Sequence, residues 1–293
     1  MDEHDWLVDR FEEHRTHLRA VAYRMLGSLS EADDAVQEAW LRLSRADTSE
    51  VENLGGWLTT VVARVCLNML RSRRTRREES LDVFVPDPIV SREDGVDPEG
   101  EALLADSVGL ALLVVLETLE PAERLALVLH DMFAVPFDEI APIVGRSPAA
   151  ARQLASRARR RLQGATVPDT DLTGQRQVVD AFFAAARDGD FDALVAVLDP
   201  DVVLRSDGGA VRPAASVVVH GARAVAERAF SFAQLSPYVR PALVNGIAGV
   251  VVAPRGRPFS VMAFTVRNGK IVEIDALTDP ERLRQLDLTV LGD

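Results

Sequence analysis

The sequence contains a single cysteine, Cys66, among its 293 residues. One thiol cannot form an internal disulfide, and a zinc site built from several thiolates needs more than one. We therefore expect no disulfide framework and no zinc site built from several thiolates. We also predict that the protein has no metal centre and no cofactor.

Long apolar runs are also missing, although hydrophobic residues make up 47% of the chain. The first eleven residues carry four acidic side chains, whereas a secretory signal has a basic start followed by an apolar block. These absences predict a globular, cytoplasmic protein without a membrane span. The length allows two or three domains of ordinary size.

Lysine occurs once, at Lys270, so arginine carries nearly all of the positive charge. A net charge of -12 argues against a uniformly basic nucleic-acid binder, but a sum does not describe local clusters. One arginine cluster closes an apolar segment and a second lies along another, and the simplest interpretation of each is a solvated helix end. They are Arg71, Arg73, Arg74, Arg76 and Arg77, and Arg152, Arg157, Arg159, Arg160 and Arg161.

Apolar residues recur at helical spacing over residues 1–77 and 103–163, which predicts two all-α domains. Ser30, three residues before Asp33, is the predicted N-cap of the second helix. Residues 78–102 mix acidic residues with proline and are predicted to be a linker. The apolar run inside it predicts that part of this linker docks on another surface.

The segment 145–148 predicts a tight turn between two helices, because glycine stops a helix, serine caps the next and proline occupies its first position. This is a helix-turn-helix candidate. Its second helix can direct polar side chains toward DNA, although an ordinary amphipathic surface helix fits the periodicity equally well. The outward side chains are Arg152, Gln153, Ser156, Arg157 and Arg160.

The chain changes character after a second predicted linker at residues 164–174. Residues 175–293 predict an α+β domain with two helices and a mostly antiparallel sheet. Residues 243–252 form one strand-like run, and Asn268-Gly269 predicts a hairpin because both residues tolerate positive φ.

Several motifs occur in the order found in extracytoplasmic-function sigma factors. Residues 33–43 resemble their polymerase-binding signature, residues 56–77 their promoter-melting segment, and residues 119–161 their second DNA-binding domain. The resemblance implies a sigma factor that binds core RNA polymerase and directs promoter-specific transcription initiation without being an enzyme. It assigns residues 1–77 to region 2, which reads the −10 element, and residues 103–163 to region 4, which reads the −35 element.

The resemblance also implies two sets of site residues. The polymerase-binding set on the acidic helix is Asp34, Gln37, Glu38 and Arg42. The DNA-binding set is Arg64, Arg71, Arg73, Arg74, Arg76, Arg77, Arg152, Gln153, Ser156, Arg157, Arg160 and Arg161.

Residues 84–88, 129–137 and 151–159 further resemble the SigJ-type subgroup, whose members carry a C-terminal extension. Residues 175–293 are similar to the SnoaL-like, nuclear-transport-factor-like superfamily, which implies a cone-shaped curved sheet. Three segments resemble marks of the subgroup and imply regulatory contacts between domains. Their residues are Phe84, Pro86 and Pro88 in the linker, Asp207, Gly208 and Gly209 in a loop, and Asp279, Pro280 and Leu283 near the end.

Three hypotheses remain open for the C-terminal domain: regulation in cis without a separate anti-sigma factor, isomerase or hydrolase chemistry, or sensing of a small ligand in a pocket. An enzyme needs an acid and a base that converge in a dry pocket, and a sensor needs a pocket without such a pair. Asp207, His220 and Asp275 are the candidates for such chemistry, although an aspartate before two glycines is more often a turn residue.

Overall fold

The structure is a computed structural model, and it describes residues 3–46, 51–77, 83–92, 110–163 and 168–288. The chain divides into two compact units. Unit 1 contains residues 1–81, 101–106 and 115–164, and unit 2 contains residues 82–100, 107–114 and 165–293.

Helices make up the described part of unit 1. A short π-helical turn, Val128–Met132, follows α5. The helices are α1 (Glu3–Leu26), α2 (Leu29–Leu43), α3 (Leu54–Arg77), α4 (Leu110–Glu117, divided between the units), α5 (Pro121–Leu127), α6 (Phe137–Val144) and α7 (Pro148–Leu162).

The first three helices pack on one another, and α5 and α6 contact α3. Fully buried apolar side chains such as Leu18, Leu58 and Leu125 form the interior. The N-cap of α2 is Ser28, whose hydroxyl accepts a hydrogen bond from Glu31 N, so the prediction of Ser30 was wrong by two residues.

The predicted helix-turn-helix is confirmed in its local geometry. Gly145 ends α6 with φ of 67°, a left-handed conformation that glycine adopts without strain. The hydroxyl of Ser147 caps α7 by accepting a hydrogen bond from Ala150 N at 3.3 Å, and Pro148 is the first helical residue. Ala151, Ala155 and Ala158 are the buried face of α7.

Unit 2 is built on a seven-stranded sheet in the order β1-β4-β5-β6-β7-β2-β3. Among the described strands only β2 and β7 pair in parallel, so the predicted mostly antiparallel sheet is confirmed. The strands are β1 (Val90–Ser91), β2 (Leu198–Asp207), β3 (Val217–His220), β4 (Val239–Val244), β5 (Ile247–Val252), β6 (Ser260–Arg267) and β7 (Lys270–Leu277).

Four α-helices lie entirely within the described part of unit 2 and accompany its sheet. Phe182 from the first of them meets Phe264 from β6 in the apolar core, with ring centroids 5.6 Å apart. The helices are α8 (Leu172–Asp188), α9 (Phe191–Ala196), α10 (Ala222–Phe230) and α11 (Pro280–Leu283). Helix α8 begins three residues before the predicted domain boundary, since Asp171 caps it by accepting from Thr173 N.

Two turns decide the strand boundaries. Asn268 and Gly269 have φ of 52° and 70°, which confirms the predicted hairpin between β6 and β7. The single strand predicted over residues 243–252 was wrong, because Asn245 and Gly246, with φ of 50° and 77°, turn the chain between β4 and β5. Within the described residues, no helix combines the length and apolarity that a membrane span requires.

Candidate promoter-reading surfaces and linker clasp

Helix α2 presents one polar face and one buried face. Asp34, Gln37 and Arg42 are exposed, and Glu38 is half-buried. The Arg42 guanidinium binds the Glu38 carboxylate across one helical turn, with Nε 3.0 Å from Oε1. The buried face holds Ala35, Val36, Ala39 and Leu43. The predicted polymerase-binding side chains therefore share one accessible surface.

The arginine cluster at the end of α3 does not act as one group. Arg64 and Arg71 are exposed, whereas Arg73 donates to the carbonyl of Leu26 at 2.9 Å. Arg73 also binds the carboxylate of Glu31. The predicted DNA contact at Arg73 competes with this internal role. The side chains of Arg74, Arg76 and Arg77 lie outside the described residues.

Within unit 1, the segment before residue 77 and the segment after residue 115 are joined through a buried arginine. Arg124 Nη1 donates to the carbonyl of Met25 at 2.9 Å and to the Glu117 carboxylate at 2.6 Å. The Arg24 guanidinium lies 5.1 Å from the ring centroid of Phe133. These contacts hold the two helical segments against each other.

The arginines of helix α7 differ in whether they form ion pairs with carboxylates. Arg152, Gln153, Ser156 and Arg160 are exposed, and no ion pair links Arg152 or Arg160 to a carboxylate of the described chain. In contrast, Arg157 and Arg161 both bind the buried carboxylate of Glu123, at 3.1 and 3.0 Å, and Arg159 binds Asp131 at 2.6 Å. The outward face predicted for DNA is present, but Arg157 and Arg161 also stabilise the contact with α5.

The region between the two helical segments is not a free tether where the structure describes it. From Val85 to Ile89 the side chains are buried within unit 2. The Arg282 guanidinium donates to Asp87 Oδ1 at 2.7 Å, to Asp207 Oδ2 at 2.8 Å and to the Val85 carbonyl at 2.6 Å. Asp207 Oδ2 also accepts from Val85 N at 3.0 Å. We call Val85, Asp87, Asp207 and Arg282 the linker clasp.

A second attachment follows directly in the chain. The backbone N–H of Ile89 donates to Asn245 Oδ1 at 3.0 Å, and the N–H of Asn245 donates to the Ile89 carbonyl at 2.8 Å. Val90 then pairs with Val244, so the linker adds β1 to the edge of the sheet. The backbone N–H and carbonyl groups of Val85 and Ile89 thus have hydrogen-bond partners within unit 2.

The three segments marked by the family resemblance meet here. A Cβ atom on Gly209, whose φ is 60°, would lie 2.1 Å from Asp279 Oδ2. The loop that carries Asp207 therefore approaches α11 closely, and only glycine fits. Asp279 caps α11 by accepting from Glu281 N, which orients Arg282 and buries Leu283. Phe84 contributes its ring, 4.8 Å from the Arg282 guanidinium.

The predicted contact residues omit four members of this arrangement: Val85, Asp87, Asn245 and Arg282. Val85 and Asp87 lie inside the linker segment that is predicted to dock. Asn245-Gly246 is itself a hairpin signal, and reading it would have placed Asn245 at a strand end. Arg282 lies inside a segment whose resemblance was recognised, but no local pattern marks its partners, which are 75 and 195 residues away.

The candidate catalytic residues do not converge. Asp275 is buried and binds Arg205 at 3.2 Å, and burial raises the pKa of Asp275 to about 6 against the opposing attraction of Arg205. His220 is exposed at the end of β3. Asp207 accepts from Gly209 N as a turn residue and belongs to the clasp. None of the three lines the apolar cavity of unit 2.

Two protein families match the helical segments. Residues 10–76 match sigma-70 region 2, and residues 109–162 match sigma-70 region 4. The surfaces on α2 and α7 therefore lie on the two sigma-70 regions of a transcription initiation factor.

Relatives cover nearly the whole chain. The ECF RNA polymerase sigma factor SigJ of Mycobacterium tuberculosis is 39% identical over 94% of this chain and 92% of its own length. The probable ECF sigma factor SigI of the same organism is 36% identical over 98% of each chain. The crystal structure of M. tuberculosis SigJ matches with a TM-score of 0.77 and 36% identity, covering 96% of this chain and 99% of that one.

The chain therefore belongs to the extracytoplasmic-function (ECF) sigma factors of RNA polymerase and is of the SigJ type. It directs promoter-specific transcription initiation, and its relatives are sigma factors, which are not enzymes. The predicted fold, two helical sigma regions followed by a curved-sheet domain, is confirmed.

Proposed function

We propose that this sigma factor is regulated in cis by its C-terminal domain, through the linker clasp. The observation that carries the proposal is that residues 85–89, which lie between region 2 and region 4, are buried in unit 2, where Val85 is hydrogen-bonded to Asp207 and Arg282. This linker must extend when regions 2 and 4 separate, yet it is attached to the C-terminal domain, which belongs to neither region.

The geometry of a promoter explains why this attachment matters. The −10 and −35 elements are centred about 25 base pairs apart, roughly 85 Å at 3.4 Å per base pair. Regions 2 and 4 are joined at Arg124 and Met25 by a hydrogen bond of 2.9 Å. The two regions cannot read both elements until these contacts open and the linker is free to extend.

The clasp therefore biases a population between a closed and an open form. Breaking a buried ion pair by removing one partner costs about 3 to 5 kcal/mol. Core polymerase and promoter must supply more free energy than the clasp and the contacts of Arg124 together. A separate anti-sigma factor is not required in this scheme, and the protein acts in the cytoplasm, where it meets polymerase.

The contacts of the open form follow from the exposed surfaces. Asp34, Gln37, Glu38 and Arg42 bind core polymerase, and Arg64 and Arg71 contact DNA near the −10 element. On α7, Arg152, Gln153 and Ser156 read bases and Arg160 binds phosphate. Arg73, Arg157 and Arg161 reach DNA only by exchanging their carboxylate partners.

The enzyme alternative has less support. The cavity of unit 2 is lined by no carboxylate and no imidazole among the described residues. General acid–base catalysis needs such groups within hydrogen-bond reach of the substrate.

The test compares Arg282→Gln with Arg284→Gln in the full chain. Arg284 is a matched control, since it is exposed, lies two residues away and, among the described residues, donates only to the Pro280 carbonyl. Removing the Arg282 charge should speed amide hydrogen exchange at Val85 and Ile89. It should also raise promoter-specific transcription several-fold when core enzyme from the host is limiting.

Truncation before Asp279 should have the same effect as Arg282→Gln. Faster exchange in Arg282→Gln with transcription equal to that of Arg284→Gln would overturn regulation through the clasp. Absence of any promoter-specific transcript from the unmodified chain would contradict the assignment of the sigma surfaces themselves.

A further inference from the structure

Unit 2 contains a partly open cavity of about 210 Å³ between its helices and one face of the sheet. Its wall is almost entirely apolar and includes Phe182, Phe183 and Met262. An engineered apolar cavity of about 150 Å³ binds benzene. This cavity has room for a somewhat larger molecule, such as a substituted or fused aromatic ring.

One residue that lines the cavity carries a hydroxyl without a partner among the described residues. Ser260 is 4% exposed, and its hydroxyl forms no hydrogen bond with any described residue. A buried hydroxyl without a partner costs about 1 to 3 kcal/mol, so such a group calls for an explanation. A ligand atom that accepts or donates a hydrogen bond in the cavity would supply one.

The charged groups of the wall are all positive. Arg212 and Arg228 line the cavity and rest on aromatic rings, with guanidinium carbons 5.1 Å from the Phe259 centroid and 5.2 Å from the Phe232 centroid. Neither forms an ion pair with a carboxylate among the described residues. No acidic side chain lines this cavity in the described part of unit 2. This charge pattern selects an anion over a cation.

We infer that the cavity is a binding site for a small apolar molecule with one anionic head, of the class of aromatic carboxylates. The apolar body lies among the phenylalanine rings, and the head pairs with Arg228 and Arg212 and hydrogen-bonds to Ser260. Phe232, which is 41% exposed, provides an apolar rim for entry.

The cavity and the linker clasp meet where β2 and β7 end. Ser206 and Thr278 line the cavity; Asp207, which follows Ser206, belongs to the clasp, and Asp279, which follows Thr278, caps α11, the helix that carries Arg282. The Thr278 hydroxyl donates to the Asp207 carbonyl at 2.9 Å, and Arg212 donates to the Thr278 carbonyl at 3.4 Å. A ligand that draws Arg212 toward its head acts on this connection. This second step rests on the proposed function, whereas binding itself does not.

Binding is tested on the full chain by isothermal titration calorimetry with 2-naphthoate and its neutral counterpart 2-naphthalenemethanol. We expect one site per chain and at least about tenfold tighter binding of the carboxylate, as for a hydrogen bond to a charged group. The Arg228→Gln variant should bind 2-naphthoate about tenfold more weakly, while its affinity for the neutral probe stays unchanged. Arg223→Gln, an exposed arginine on the same helix, should bind like the unmodified chain.

Ser260→Ala separates a ligand-binding role from a structural one. Loss of an unpartnered buried hydroxyl should leave the melting temperature of the free protein unchanged or higher, while the affinity for 2-naphthoate falls. Ala229→Trp should fill the cavity and abolish binding.

If neither probe binds, the proposed site is wrong. If both probes bind with equal affinity, the proposed preference for anions is wrong. If 2-naphthoate binds but leaves amide exchange at Val85 and Ile89 unchanged, the link to the clasp is wrong. That outcome is distinct from failure of the proposed function, which is read from Arg282→Gln without any ligand.

Discussion

The guanidinium of Arg282 lies 2.8 Å from the carboxylate of Asp207, a residue 75 positions earlier in the chain. The same carboxylate oxygen accepts the backbone N–H of Val85, which is a further 122 positions away. One ion pair thus unites the end of the C-terminal domain, a loop of its sheet and the segment between the two sigma regions. The C-terminal domain therefore contacts the segment between the sigma regions directly.

Gly209→Ala should weaken unit 2 and release the clasp. The new methyl group would clash with the Asp279 carboxylate at a φ of 60°, so we expect a loss of about 2 to 4 kcal/mol in the free energy of unfolding. Gly256→Ala is the control, because Gly256 has φ of 72° but no atom within 4 Å of the added Cβ, and it should lose about 1 kcal/mol. Denaturant unfolding measures both, and equal losses would contradict the close approach of the loop to α11.

Arg152→Ala should relax promoter discrimination, because a bidentate arginine contact to a base contributes about 1 to 3 kcal/mol. Arg160→Ala should instead weaken binding to all DNA sequences alike. It should also reduce by about 1 the slope of log binding constant against log salt concentration. Binding of region-4 target sequences and single-base variants, measured at several salt concentrations, distinguishes the two. If an Arg152→Ala, Arg157→Ala double variant discriminates sequences as well as the unmodified chain, the chosen face of α7 is wrong.

Glu123→Gln should free two arginines on α7. Its buried carboxylate binds Arg157 and Arg161 at 3.1 and 3.0 Å, so the variant loses stability by about 1 to 2 kcal/mol. The released guanidinium groups should make DNA binding more salt-dependent, by up to about 2 in the slope. Asp138→Asn removes an exposed charge from the neighbouring helix α6 and serves as the control. If the salt dependence of DNA binding changes equally in both variants, the change in net charge is responsible and not the release of Arg157 and Arg161.

Asp34→Arg should reduce the affinity for core polymerase by about tenfold, because a reversed charge at an interface is repelled by a surface that attracted the original. Glu52→Arg makes the same change at another exposed position. Titration of labelled protein with core enzyme gives both affinities. Equal weakening would indicate a general charge effect rather than a contact at Asp34.

Asp275 should make stability depend on pH below neutrality. Because its pKa is raised from 3.8 to about 6, chiefly by burial, the folded state holds the proton more tightly than the unfolded state. Stability should therefore fall as pH rises from about 4 to about 6, by at most about 3 kcal/mol, and stay level above. Asp275→Asn should abolish this part of the pH dependence, whereas Asp201→Asn, at an exposed position of β2, should retain it. Parallel pH profiles for Asp275→Asn and the unmodified chain would contradict the prediction.

Local chemistry alone determined the turns and the helical segments. Gly145, Ser147 and Pro148 specify the helix-turn-helix because each acts through its own backbone preference or cap. Asn268-Gly269 specifies its hairpin for the same reason. The apolar residues on both sides of Asn245-Gly246 predict one continuous strand and hide this turn. Ser30 satisfies the same capping pattern as Ser28, so the pattern alone does not select the true N-cap.

Only the tertiary structure decided which charged side chains are available. Arg73 and Arg152 both belong to arginine clusters, yet Arg73 binds Glu31 and the Leu26 carbonyl, whereas Arg152 is exposed. The sequence indicated that the linker needs a surface, but not that Arg282 and Asp207 provide it. Helical and strand periods encode neighbours a few residues apart, whereas pairs 75 or 122 residues apart are set by how the sheet brings distant segments together.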